Sequence, residues 1–251
     1  MKSILYILLL LLLSCEYLTD AAFTREVSVA CVLSNYYERQ EIYIYYTSEG
    51  AQNIRNRDSL FVKDAGVEVS SLSQNIPFYL NKNYNDEHPG WVYKDSGHKL
   101  KVSGGTTYTL NIKTDAGTVS GATTVPDSFT IVFPRPGEYY EPESILTAEW
   151  ERKPGAAIYF VEHLTPPDTV FSYRTGKYEV RRFLSNFSTT GNAFALGENS
   201  VLKKGNHILR VMACDINLKR HLFDDIDISG LKGGYGYFGS AYVDTVSFFI
   251  K

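Results

Sequence analysis

Long apolar runs, methionine, cysteine and excess charge of either sign are all scarce in this sequence. Only two of its 251 residues are Met and three are Cys, and the formal net charge is −3. A balance this mild gives no electrostatic footprint for nucleic acid. It also gives no polybasic handle for anionic lipid. The apolar run Ile4–Leu13 has about half the roughly 20 residues that a bilayer-spanning helix needs. The five histidines, His88, His98, His163, His207 and His221, form no His-x-x-x-His pair, and there is no Cys-x-x-Cys, so no zinc-ligand spacing is present. A Gly-x-Ser-x-Gly nucleophile elbow is absent as well.

What the chain does have is 19 Tyr, 14 Phe and 19 Gly. Aromatic and β-branched residues favour strands, and glycines punctuate them. The alternation starts at Val27, Val29 and Cys31. It recurs over Glu41–Ser48, where Ile42, Ile44 and Tyr46 share one face and Tyr43 and Tyr45 the other; two apolar faces predict a central strand or one face covered by a neighbour. Leu60–Val62 and Val67–Leu72 follow, then an irregular Asn/Asp/Gly-rich stretch over 74–98 that carries Trp91 and Tyr93. The clearest hairpin is next. Tyr108, Leu110 and Ile112 alternate with Thr109, Asn111 and Lys113, Asp115-Ala116-Gly117 turns, and Thr118–Thr124 returns. Proline lacks a donor and ends strands, so Val125-Pro126-Asp127 marks a domain boundary.

The amino terminus reads as a targeting segment. Lys2 precedes the ten-residue apolar run, and the small Ser14 precedes Cys15, the layout of a secretory signal. Leu12-Leu13-Ser14-Cys15 resembles the lipobox of bacterial lipoproteins. That resemblance implies cleavage after residue 14, acylation of Cys15 and attachment to a membrane through lipid, with 15–23 as a tether. Several acyl chains on one residue hold firmly where one alone binds marginally.

The second half predicts a β-sandwich over 127–251. Leu146, Ala148 and Trp150 share a strand face, Lys153-Pro154-Gly155 turns, and strands follow over Ile158–His163, Ile208–Cys214 and Tyr242–Lys251. This order resembles the fibronectin type III domain, with Trp150 at its buried tryptophan. Leu202-x-x-Gly205-x-His207-x-Leu209-x-Val211-x-Ala213 stands at its sixth strand, and His207 takes the place usually held by tyrosine. The connection 215–241 reads as an unusually long loop, a length that tends to be functional. The first half, 24–126, with Gly104-Gly105-Thr106-Thr107-Tyr108-Thr109-Leu110, resembles carboxypeptidase-regulatory-like β domains. The fold expected is therefore all-β, two β-sandwich domains in tandem after a cleaved signal peptide.

Both halves behind a lipobox, closing on Gly233-Gly234-Tyr235-Gly236-Tyr237-Phe238-Gly239-Ser240, resemble a family of Bacteroidota lipoproteins described as a domain of unknown function. Members tend to be encoded beside TonB-dependent receptors. The resemblance implies an outer-membrane location, on its periplasmic or surface face, and a binding or accessory role in nutrient uptake with such a receptor. The alternative is a lipoprotein that binds surface glycan. Neither reading makes the chain an enzyme or gives it a cofactor.

Several constellations are weaker. Gly234-x-Gly236-x-x-Gly239 has dinucleotide-binding spacing, but an aromatic strand follows it where a helix should. Asp225-x-Asp227-x-Ser229-Gly230 matches half of an EF-hand loop. Its twelfth position is Gly236, not Glu, which leaves Asp224, Asp225 and Asp227 as weak calcium candidates. Trp91, Tyr93, Tyr235, Tyr237 and Phe238 are the candidate binding aromatics, suited to glycan or peptide. Cys31 and Cys214 could pair in an oxidising envelope. Each sits inside a strand-like run in a different candidate domain, so buried free thiols are expected.

Overall fold

A computed structural model describes residues 24–48, 59–83, 90–142, 145–172, 177–182, 184–196, 202–224 and 226–251. Cys15, the signal segment and the tether lie outside the described residues. No described helix is long and apolar enough to cross a membrane.

The first unit holds β1 (Val27–Ser34), β2 (Glu41–Tyr46), β3 (Gly66–Ser70), β4 (Asn75–Asn83), β5 (Gly90–Asp95), β6 (Thr107–Thr114) and β7 (Gly117–Thr124). They pair in the order β1-β2-β5-β4-β3-β6-β7. The sheet folds over itself, so that the inward residues of all its strands meet in one core. Val29, Ile44, Val69, Leu110 and Ile112 are among them. Each such side chain, fully buried, contributes about 1.5–3 kcal/mol. β2 is central, paired to β1 on one side and to β5 on the other; Ile42, Ile44 and Tyr46 face the core, and on the other face Tyr45 packs edge-on against Phe61.

The second unit comprises β8 (Ile131–Phe133), β9 (Tyr139–Tyr140), β10 (Leu146–Trp150), β11 (Ile158–Leu164), β12 (Asp168–Ser172), β13 (Lys177–Arg181), β14 (Leu184–Thr189), β15 (Ala193–Leu196) and β16 (Gly205–Cys214). One layer is β15-β10-β8. The facing layer is β14-β11-β16 and then a last strand, β19 (Tyr235–Ile250). This is the fibronectin type III arrangement, with the ribbon β12–β13 inserted between the third and fourth strands. Trp150 is 1 % exposed in the core between the layers, its ring 5.5 Å from that of Tyr159.

Three expectations need correction. Within 74–98, residues 75–83 and 90–95 are not irregular: β4 and β5 pair from Phe78↔Asp95 to Asn83↔Gly90. The outward polar side chains of these strands masked their period of two. Residues 215–241 are not a loop. They form α1 (Ile216–Phe223), β17 (Ile228–Ser229), β18 (Leu231–Lys232) and the first half of β19. The final strand therefore starts at Tyr235, not Tyr242. From Tyr235 to Ala241 it runs parallel to β1, and from Ala241 to Ile250 antiparallel to β16. One strand thus belongs to both units, and Phe238 lies in the first core rather than the second.

Glycine makes that crossing feasible. Gly236 has φ +90°, and a Cβ there would sit 2.0 Å from the Val29 carbonyl oxygen. Cys31 and Cys214 are free and buried. β19 separates their strands, which puts the Cα atoms at least about 9.5 Å apart, beyond the roughly 7 Å limit for a disulfide. Burial pushes both thiols well above their usual titration range.

Candidate functional site

The segment after β16 fastens the two units together. Asp215, 3 % exposed, caps α1: its Oδ1 accepts from Leu218 N at 2.9 Å and from Ser240 N at 3.1 Å. Its Oδ2 accepts from Thr123 Oγ1 at 2.6 Å, and Thr123 Oγ1 lies 2.7 Å from Ser240 Oγ. Three elements, β7, α1 and β19, therefore meet at one buried carboxylate. Burial raises its pKa while the hydrogen bonds from Thr123, Leu218 and Ser240 oppose the rise. Asn217 Nδ2 donates to the carbonyls of Ala122 at 2.8 Å and Phe238 at 3.1 Å. β18 adds to the edge of β7, with Leu231 opposite Gly121 and Lys232 opposite Ser120. A Cβ on Gly121 would meet the Gly230 carbonyl at 2.6 Å, so this docking needs glycine there.

Docking α1 and β18 beside β7 creates a groove of about 720 Å³ on the outer face of β3, β6 and β7. Strand alternation decides its floor. Val67, Leu110, Ile112 and Val119 point into the core, so Glu68, Ser70, Thr109, Asn111 and Ser120 point out. Arg220 of α1 and Lys232 of β18 form the far wall. A smaller hollow of about 410 Å³ shares Glu68 and Asn111 with the groove and extends it to Tyr79 and Lys113. The side chains of Glu68, Arg220 and Lys232 have no ion-pair or hydrogen-bond partner among the described residues. By contrast, Lys219 on the same helix lies 3.6 Å from Asp224.

The candidates read from sequence are dispersed. Tyr93 is not a loop aromatic: it is 1 % exposed, its hydroxyl donating to Val62 O at 3.0 Å and accepting from Ala65 N at 2.9 Å. Trp91 packs against the same core, with the Lys63 and Lys82 ammonium groups 5.0 and 5.9 Å from its ring centre. Phe238 is fully buried, so it cannot contact a ligand either. Tyr237 stacks on His221 at 4.0 Å, and Tyr235 is 39 % exposed. Asp224 ends α1 and faces Lys219, while the Asp227 carbonyl accepts from Gly236 N. Asp225 lies outside the described residues. No cluster of three or more His, Cys, Asp or Glu among the described residues could hold a metal ion.

Two histidines with no sequence spacing in common do meet. β11 pairs with β16, and His163 Nε2 lies 2.8 Å from His207 Nδ1 in the second core. Both are buried, and burial lowers both pKa values. The groove residues Glu68, Asn111, Ser120, Arg220 and Lys232 were not singled out from sequence. The polar face of β6 was visible there, but which strands flank it was not.

The family model described as Domain of unknown function (DUF4249) matches residues 16–208. The glycine-aromatic motif at 233–240 falls beyond that match. No curated protein matches the chain. Among solved structures, a titin structure aligns at 11 % identity over 91 % of this chain and 97 % of its own, with a TM-score of 0.22. An I-band fragment of titin aligns at 12 % over 90 % of this chain and 65 % of its own, at 0.21. Dpr2 Ig1-Ig2 in complex with DIP-Theta Ig1-Ig3 aligns at 10 % over 91 % of this chain and 67 % of its own, at 0.22. Superposition this poor adds nothing to the description of the fold or the site. The family match spans well over half of the sequence, and the chain belongs to the family described as Domain of unknown function (DUF4249).

Proposed function

We propose that the protein is a lipid-anchored, non-catalytic binding module of the outer membrane, an accessory to a TonB-dependent receptor in nutrient uptake. The observation that carries the binding role is the groove, where Glu68, Arg220 and Lys232, without partners among the described residues, line an open polar floor. Groups left unpaired in a concave site are available to a ligand, whereas surface ion pairs are already spent on each other. His163, His207 and Asp215 have shifted pKa values, and all three are buried in structural hydrogen bonds away from the groove floor, so none of them serves the groove as an acid or base. The shared strand β19 and the Asp215 junction join both units, which suits a platform that presents a ligand. The lipobox resemblance at Cys15 supports the membrane attachment.

Native pull-down from solubilised outer membranes tests the reading. Recovery of a TonB-dependent receptor with the wild-type chain, and mass spectrometry of an acylated, cleaved Cys15 terminus, are the expected results. An unprocessed amino terminus, or a monomer that brings down no receptor at native expression, would overturn it.

A further inference from the structure

The groove floor contains one straight row of side chains. Across four strands the register is Glu68↔Asn111, Asn111↔Ser120 and Ser120↔Lys232. A carboxylate therefore stands at one end and an ammonium at the other, with the Arg220 guanidinium lining the same groove. Three strand spacings separate the ends, about 14 Å, which is the length of about four residues of extended chain.

We propose that this row binds a short linear peptide with both termini free, of about four residues. Its ammonium sits at Glu68, and its carboxylate sits between Arg220 and Lys232. The inference rests on the groove reading above and gives it a ligand class.

The chemistry between the ends fits a peptide backbone. Asn111 and Ser120 each offer a donor and an acceptor, and neither side chain has a partner among the described residues. A peptide unit presents one donor and one acceptor per residue, so this pair can meet the middle of the ligand whatever its side chains. The floor is open toward solvent, which leaves room for varied side chains. Between Glu68 and Lys232 no aromatic ring lines the groove, so a sugar lying along the row has no stacking face; the exposed ring of Tyr79 lines only the adjoining hollow. Glu68 opposes a polyanion, and the two cations oppose a polycation, which leaves a dipolar ligand as the match. The end charges are solvent-accessible, so binding weakens as salt rises.

Isothermal titration of tetraalanine into the mature chain, expressed without the signal segment and with Cys15→Ser in place of the acylated residue, is the test. Saturable binding is expected. N-acetylation and C-amidation of the peptide should each weaken it by about tenfold, the scale of losing one charge-assisted contact. Glu68→Gln should abolish the effect of acetylation and leave that of amidation. Arg220→Gln with Lys232→Gln should do the reverse. All three positions lie at the surface, so circular dichroism should be unchanged in both variants. No saturable heat at millimolar peptide, insensitivity to either cap, or tighter binding of cellotetraose would overturn the proposal. Failure here with receptor still recovered in the pull-down removes the ligand assignment alone. Peptide binding without receptor removes the accessory role alone.

Discussion

His163 Nε2 lies 2.8 Å from His207 Nδ1, the two rings are stacked with centroids 5.1 Å apart, and His207 Nε2 lies 2.6 Å from the Lys203 carbonyl oxygen. A carbonyl can only accept, so His207 carries its proton on Nε2 and accepts at Nδ1 from His163. The bond to Lys203 reaches back four residues from the start of β16. A tyrosine at the corresponding corner of immunoglobulin-type sandwiches makes that same backward bond. Histidine is shorter, and the space beyond it is filled by a second histidine from β11 and by Phe248, whose ring centre lies 5.2 Å from that of His207.

That arrangement needs His207 neutral so that Nδ1 can accept, and burial disfavours a charge on either ring. Burial, and then the neighbouring His207, lower the His163 pKa to about 4; burial lowers that of His207. Both folded-state values lie below the unfolded reference of about 6.5. Their stabilisation is therefore full above pH 6.5 and is lost as pH falls, because the unfolded chain takes up protons that the folded chain refuses. For His163 the loss continues down to about pH 4 and amounts to about 3 kcal/mol. Urea unfolding at pH 7.5 and at pH 4.5 should show a clear drop in midpoint, and His163→Phe should flatten it. An unchanged midpoint would remove the account.

Asp215→Ala should cost about 2–4 kcal/mol, since it removes a helix cap and leaves Leu218 N and Ser240 N buried without their acceptor. Asp215→Asn should cost less than about 1 kcal/mol. Its carbonyl oxygen can still accept from Leu218 N and Ser240 N, and its amide can donate to Thr123. Chemical denaturation of the two variants checks the ranking, and equal losses would count against the junction as described.

Gly236→Ala should prevent or severely weaken folding, because the added Cβ would meet the Val29 carbonyl at a backbone angle that L-residues rarely adopt. Gly137→Ala is the control. It also has positive φ, +72°, but no atom lies within 4 Å of the added carbon, so the cost should be about 1 kcal/mol. Thermal unfolding of both should separate steric exclusion from the φ penalty alone.

Neither Cys31 nor Cys214 should react with a thiol reagent in the native state, and both should react in denaturant. Their thiols are buried and their thiolates strongly disfavoured. In the Cys15→Ser chain, two equivalents released only on unfolding would agree. Zero equivalents in denaturant without reductant would reveal a disulfide and contradict the strand order.

Much of the fold was legible because one physical signal carries it. Tyr108, Leu110 and Ile112 alternate with polar residues, and they became the inward face of β6, with β7 its hairpin partner. Trp150 and His207 were likewise readable as sandwich positions. The signal failed where polar residues crowd a short alternation or where the strand partner is remote. β4, whose Ile76, Phe78 and Leu80 face the core among Asn75, Asn81 and Asn83, looked irregular for the first reason. The 233–239 stretch looked like a turn for the second, since its glycines are explained only by β1 crossing at close range. Trp91 and Tyr93 illustrate a third limit: a tyrosine in a core and one on a rim have the same letter, and only burial tells them apart.

The order of residues alone determined an all-β chain with a fibronectin-like second half, since alternation and turn chemistry are local properties. Only tertiary structure decided that β19 serves both units, that Asp215 joins them, and that Glu68, Asn111, Ser120 and Lys232 stand in one row. Each of those facts depends on which strands become neighbours. Pairing between segments more than a hundred residues apart is fixed by the packing of whole cores, which no local window of sequence contains.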